Sequence, residues 1–227
     1  MKVILFGATG MVGQGALLEC LHDPVVESVL VVGRSSTGVE HGKLREILLP
    51  DLTDLSSIEA DLTGQDACFF PLGTSSVGMS EEAYRKVTYD LTLSVAETLA
   101  RLNPGMVFVY VSGAGTDSSE KGRVRWARIK GETENALLAL PLQAYMLRPG
   151  YIQPVHGARS KTRLYSAIYT VATPFYHLLK RVLPKYLINT EQLGRAMVQL
   201  AEHGSEARVM ENPAIYAVAR ERDSLGR

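Results

Sequence analysis

The stretch KVILFGATGMVGQG (2–15) constrains the fold more than any other part of the chain. A short apolar run of strand character passes directly into Gly7, Gly10 and Gly13, which open a helical segment. A glycine loop so placed lets backbone approach a pyrophosphate closely. It also points the first helical N–H groups, and the positive end of the helix dipole, at the phosphate charge. The spacing is G-x-x-G-x-x-G, with Ala8 where the usual G-x-G-x-x-G fingerprint has its second glycine, so the motif alone is weak. Its weight comes from its position between a first strand and a first helix. The alternative is a tight strand–helix turn with no ligand.

Apolar runs at 2–6, 28–33, 46–50, 67–72, 106–111 and 142–148 read as strands, nearly continuous in the manner of a sheet covered on both faces. Helical patterns at 10–21, 80–102 and 123–140 alternate with them, the last stopped by Pro141. This alternation implies parallel pairing and right-handed crossovers. The fold class is therefore α/β, a doubly wound parallel sheet of Rossmann type, with residues 1–150 as the nucleotide-binding core. Residues 151–227 are expected to form a small C-terminal lobe on the substrate side of the same domain. Within that lobe, 164–182 has helical spacing with Pro174 to kink or divide it. Residues 190–204 read as a helix capped by Thr190 and closed by Gly204, and 214–219 as a last strand.

Several function classes are disfavoured. Lys plus Arg and Asp plus Glu both number 24, so no bulk field recruits nucleic acid or an anionic membrane. Cys20 and Cys68 form no C-x-x-C pair and read as buried thiols. His22, His41, His156, His177 and His203 lack ligand spacing, so no metal site is expected. GVEHGKL (38–44) is one residue short of a phosphate loop and has Leu44 in place of its Ser or Thr, and no G-x-S-x-G elbow occurs. With no signal-peptide pattern and no run of about 18 apolar residues, the expected location is the cytoplasm. The basic residues Lys161, Arg163, Lys180, Arg181 and Lys185 are read as a solvated rim around an apolar face, one that covers a pocket or joins a partner, with a homodimer left open.

The second strand ends in VVGRSS (31–36). NAD sites place an Asp or Glu in that region for the ribose hydroxyls, whereas Arg34 with Ser35 suits the 2′-phosphate of NADP(H). A solvated arginine without a ligand role is the plainer alternative.

The motifs GATGMVG (7–13), VYVSGAG (109–115) and LRPGYI (147–152) resemble those of atypical or extended short-chain dehydrogenase/reductases. More narrowly, they resemble the small NAD(P)H-binding proteins related to the oxidoreductase-like, Tat-interacting tumour suppressor. The resemblance implies a cofactor held by Gly7, Thr9, Gly10, Met11, Val12 and Gly13. It further implies adenine bordered by Asp51 and Leu52, ribose and pyrophosphate passed by Leu72, Gly73 and Thr74, and carboxamide contacts from Pro149, Gly150 and Ile152.

Such reductases use a serine, a tyrosine and a lysine, the last two as Tyr-x-x-x-Lys on one helix face. By resemblance Ser112 and Lys130 take the first and last places, and WARIK (126–130) puts Trp126 in the tyrosine position. Indole N–H donates a hydrogen bond but does not titrate, so it is no proton carrier. Trp126 is either a core aromatic or a wall of the nicotinamide pocket. YHLLK (176–180) spells the same motif but follows the sixth strand, where no catalytic helix is expected; Tyr84 and Tyr89 are weaker substitutes. Two readings stay open: an oxidoreductase acting on a small carbonyl or alcohol substrate, or a non-catalytic NADPH-binding regulator or redox sensor.

Overall fold

The computed structural model of the protein describes residues 1–155 and 187–224. β1 (Lys2–Phe6) runs through the glycine loop into α1 (Met11–His22). There follow β2 (Ser28–Gly33), β3 (Leu44–Leu48), the short α2 (Glu59–Leu62) and β4 (Ala67–Phe70). Next, α3 (Glu81–Arg85) continues through a π-helical stretch at Lys86–Asp90 into α4 (Leu91–Leu102). β5 (Val107–Val111), α5 (Arg125–Ala139) and β6 (Gln143–Arg148) complete the first two-thirds of the chain. β7 (Tyr151–Gln153) pairs with β8 (Leu187–Asn189), which leads into α6 (Thr190–His203), β9 (Val209–Glu211) and α7 (Asn212–Ser224).

The main sheet has the order β3-β2-β1-β4-β5-β6-β9, with every pairing parallel. Because strand side chains alternate, each central strand feeds two cores. Val3, Leu5, Val29, Val31, Phe69 and Val109 face one side with residues of α1, α6 and α7. Ile4, Phe6, Leu30, Val32, Phe70 and Phe108 face the other with α2, α4 and Leu137 of α5. Phe6, Phe70 and Phe108 stack across three neighbouring strands, with successive centroids 5.4 and 5.6 Å apart. Each such ring contributes roughly 1.5–3 kcal/mol by leaving water. Cys20 and Cys68 sit in opposite cores, and burial pushes both thiols up from their ordinary pKa.

Helix α6 crosses α1 at backbone contact. A Cβ on Gly15 would lie 2.6 Å from the Thr190 carbonyl oxygen, and one on Gly194 would lie 3.0 Å from that of Gly15. This crossing fixes α1, and with it the N-terminus that faces the glycine loop.

Three sequence expectations are corrected. The third strand is Leu44–Leu48, two residues earlier than 46–50, because Pro50 has no N–H to extend a ladder. The cap of α6 is Asn189, not Thr190: Asn189 Oδ1 accepts from Gln192 N at 2.7 Å, and Gln192 Oε1 accepts from Asn189 N at 3.1 Å. Residues 214–219 are helical. Pro213 sits in the first turn, where its missing N–H costs nothing, and Ile215 and Ala219, one turn apart, are buried. The expected helix over 164–182, the YHLLK segment and the basic rim (Lys161 to Lys185) lie outside the described residues.

Candidate functional site

Every sequence-predicted site residue lies at or just beyond the carboxyl end of a parallel strand, or on the loops and helices that open there. β1 and β4 are neighbours at the centre of the sheet, and their connections depart in opposite directions, the switch point at which such sheets bind ligands.

At that point the glycine loop is shaped by close backbone approach. Gly7 has φ 79°, and a Cβ there would lie 2.9 Å from the backbone of Leu72. A Cβ on Gly13 would lie 2.0 Å from the Gly7 carbonyl oxygen, so only glycine fits. Gly10 donates its N–H to Gly7 O at 2.9 Å and stands as the N-cap of α1. Gly10 thus brings no side-chain acceptor to the N–H groups that open the helix, and the first turn of α1 holds no acidic residue. Gln14 braces the loop by donating from Nε2 to Thr9 O at 3.1 Å.

Two depressions flank the loop. One, about 380 Å³, is lined by Arg34, Asp51, Leu52, Leu72, Gly73 and Thr74, so six residues expected from three separate segments meet in one cleft. The other, about 460 Å³, is lined by Thr9, Gln14, Ser35, Ser36 and Thr37. Arg34 is exposed and has no hydrogen bond or ion pair among the described residues. Asp51 Oδ1 accepts from Thr53 N at 2.9 Å and Thr53 Oγ1 at 2.7 Å, which hold its carboxyl below the usual range. Sequence reasoning missed Glu46 of β3. It accepts from Ser36 Oγ at 2.6 Å, Thr37 N at 2.8 Å and Thr37 Oγ1 at 2.5 Å. Partial burial opposes its ionisation, but these bonds outweigh that and hold its pKa down.

On the far side of β4, the loop after β5 covers two side chains of α5 that stand one helical turn apart. A Cβ on Gly115 would lie 3.5 Å from Trp126 Cη2, and one on Gly113 would lie 3.9 Å from Lys130 Nζ and from Pro149 O. Ala114 N donates to Pro149 O at 2.9 Å, and Gly150 N to Asn212 Oδ1 at 2.9 Å, which ties the Pro149–Gly150 turn to this loop and to α7. Ile152 is buried in β7.

Lys130 Nζ donates to the Ser112 carbonyl. Burial drives its pKa down to about 8, against a partial rise from the Glu134 charge. Trp126 is partly buried and lines a cavity of about 290 Å³ with Met79, Tyr84, Val124 and Ile129. Tyr84 is itself buried in that wall, whereas Tyr89 stacks under the Arg85 guanidinium, 4.2 Å from the ring centroid.

Ser112 does not present a free hydroxyl. Its Oγ donates to Glu134 Oε1 at 2.5 Å, with Leu147 O a longer alternative at 3.2 Å. Glu134 is wholly buried and is gripped by Arg148, whose Nε lies 3.1 Å from both carboxylate oxygens and whose Nη2 donates to Oε2. The hydrogen bonds to Glu134, with its charge, outweigh burial and raise the pKa of the Arg148 guanidinium. This Ser112–Glu134–Arg148 chain was missed from the sequence. Its one visible trace was a glutamate four residues beyond Lys130, on the same helical face.

A further cavity, about 330 Å³, lies at the opposite end of α1 and is crossed by the ion pairs Arg195–Glu19 and Arg222–Asp23. It is remote from the strand ends that carry the loops. Among the described residues no helix is long and apolar enough to cross a membrane.

The architecture and the glycine loop define a Rossmann protein of the kind formed by short-chain dehydrogenase/reductases and NAD-dependent epimerases. An oxidoreductase of the short-chain dehydrogenase/reductase family from Burkholderia thailandensis superposes with a TM-score of 0.66 at 15% identity, over 99% of this chain and 97% of that one. The Bordetella bronchiseptica enzyme WbmF, solved in complex with NAD+, gives 0.64 at 18% identity over 99% and 78%. UDP-glucose 4-epimerase of Thermotoga maritima, solved with UDP-glucose, gives 0.64 at 15% over 97% and 82%. These likenesses establish the fold.

The chain belongs to the Fmp52 family. It is 32% identical over 175 residues to the mitochondrial protein fmp52 of Emericella nidulans, which spans 74% of this chain and 72% of that one. The mitochondrial FMP52 of Candida albicans is 24% identical over 213 residues, 90% and 89% of the two chains. No family model matches the chain. The expectation of a cytoplasmic protein is overturned here, since these relatives are named as mitochondrial proteins.

Proposed function

We propose that the chain binds NADP(H) across the carboxyl ends of its strands and is an oxidoreductase-like protein for a small alcohol or carbonyl ligand. The observation that carries this reading is the packing of Gly7 against Leu72, which borders the same cleft as Arg34, an arginine with no partner among the described residues. The Met11 and Val12 N–H groups would hold the pyrophosphate, and Arg34 with Ser35 the 2′-phosphate. Asp51 and Leu52 would border the adenine, and Leu72, Gly73 and Thr74 would run beside the ribose and pyrophosphate. Pro149, Gly150 and Ile152 would meet the carboxamide.

When bound, the cofactor supplies hydride chemistry. Lys130, pinned against Ser112 O, would orient the nicotinamide ribose. Trp126, in the place that the resemblance gives to tyrosine, would form the pocket wall and donate one hydrogen bond. The proton would then come from water or from the ligand itself. The narrower likeness to the Tat-interacting group rests on the same motifs and supports the same cofactor.

A specific observation favours a second reading, a non-catalytic NADPH-binding regulator. Trp126 cannot exchange a proton, and the Ser112 hydroxyl is turned into the protein toward Glu134. NAD in place of NADP(H) gains some support from the Glu46 carboxylate near the β2 terminus, but its oxygens are already engaged by Ser36 and Thr37.

Trp126 is the only tryptophan in the chain, which makes the test local. Excitation of the indole should be transferred to bound NADPH, quenching protein emission and producing nicotinamide emission. Cofactor binding detected by another method with no such transfer would place the nicotinamide away from Trp126.

A further inference from the structure

We propose that the buried Glu134–Arg148 pair makes Ser112 a hydrogen-bond acceptor, so that the site selects a ligand bearing a hydroxyl over its carbonyl counterpart. This rests on the cofactor-site reading above and adds the chemistry of the group that sits beside Ser112.

A serine hydroxyl has one proton and two lone pairs. Glu134 is wholly buried, and the guanidinium of Arg148 faces both of its oxygens, which stabilises the carboxylate. A carboxylate has no proton to give, so the 2.5 Å contact between Ser112 Oγ and Glu134 Oε1 consumes the serine's only proton. The other acceptor in reach, Leu147 O at 3.2 Å, also lies within the protein, so either choice turns the proton inward. What Ser112 can show a ligand is a lone pair.

The polar groups that would share the proposed site have the opposite character: the Lys130 ammonium, which donates to the Ser112 carbonyl, and Trp126 Nε1–H are donors. A ligand carbonyl oxygen has no hydrogen and would meet the Ser112 lone pair as acceptor against acceptor. A ligand hydroxyl can donate to Ser112 while accepting from a donor across the pocket. The site is thus complementary to an alcohol. Glu134 acts through Ser112 and is a positioning residue, not a catalytic one.

The test uses the matched pair 1-phenylethanol and acetophenone, titrated against the full-length protein saturated with NADP+. Cofactor binding is established first by thermal shift, so its failure would count against the cofactor reading and not be mistaken for a failure here. Expected is tighter binding of the alcohol by about tenfold, the scale of one hydrogen bond made or one acceptor left facing another. Glu134→Gln is nearly isosteric. With its oxygen toward Arg148, its amide donates to Ser112 Oγ and frees the hydroxyl proton to point outward, so the preference should fall to parity or reverse. Ser112→Ala removes the acceptor by a small change and should abolish the preference, which decides the matter if Glu134→Gln fails to fold. With the cofactor bound, equal or tighter binding of the ketone by the unaltered protein overturns the inference. So does binding of neither probe, or an alcohol preference that survives Ser112→Ala.

Discussion

Trp126 and Lys130 stand one turn apart on α5 beneath two glycines of a single loop, Gly115 over the indole and Gly113 over the ammonium. The same loop begins with Ser112, so three side chains from two elements are locked in register by the β5–α5 connection. On the reading proposed above, an indole in this place would keep the shape of the pocket while withdrawing its proton carrier.

On that reading, placing a phenol at position 126 should supply the proton carrier. Trp126→Tyr is expected to gain NADP(H)-dependent interconversion of alcohols and ketones, by a factor on the order of a hundred to ten thousand over the unaltered chain. Following cofactor absorbance across an aldehyde and ketone panel checks this. No gain would show that position 126 does not face the reacting atoms.

Lys130 gives a pH signature. Its folded pKa of about 8 lies below the ordinary lysine value of 10.5, so between those limits the unfolded chain binds more protons and stability rises with pH. Below about pH 8 the folded protein carries the whole cost of the buried charge. Lys130→Met should therefore be more stable than the parent at pH 7, by on the order of 1–3 kcal/mol, with the difference closing toward pH 10.5. Denaturant unfolding at pH 7 and pH 10 measures it. The same variant should bind NADPH more weakly, and binding by the parent near pH 8 should take up part of a proton, visible as a buffer-dependent calorimetric heat.

The glycine loop offers the sharpest steric test. Gly13→Ala would place a methyl 2.0 Å from Gly7 O, so the loop and the α1–β1 contact must shift. Expected is a loss of stability of several kcal/mol together with loss of nucleotide binding. Gly42→Ala, where nothing lies within 4 Å, serves as a control and should change neither.

The start of α5 is electrostatically unfavourable. Val124 is a cap without a polar side chain, Arg125 opens the helix, and the first turn holds no acidic residue. Arg125→Glu should raise stability by about 0.3–1 kcal/mol at low salt through the helix dipole, and the gain should shrink as salt is added.

The legible parts of the sequence were those with a local cause. The glycine loop, the apolar runs and the helix stops announce themselves because strand burial, backbone approach and Pro141 each act within a few residues. The runs at 214–219 misled because AIYAVA has strand composition while its buried residues, Ile215 and Ala219, follow helical spacing. The true last strand, Val209–Glu211, has only Met210 buried and gave no signal. The π-helical stretch at Lys86–Asp90 lies in an unbroken helical pattern and was equally invisible. Glu134 and Arg148 escaped notice because a charge in an amphipathic helix and a charge ending a strand read as solvated. Only the fold brings them together in the core, 14 residues apart in sequence.

The most direct measurement is a thermal-shift titration with NADPH and NADH side by side, repeated on Arg34→Ala. A site filled at a hundred times its dissociation constant stabilises the fold by about 2.7 kcal/mol, a readily visible change in Tm. Expected is a larger shift with NADPH than with NADH, and loss of that difference in Arg34→Ala. Absence of a shift with either nucleotide, in protein purified free of bound cofactor, would contradict the cofactor site itself.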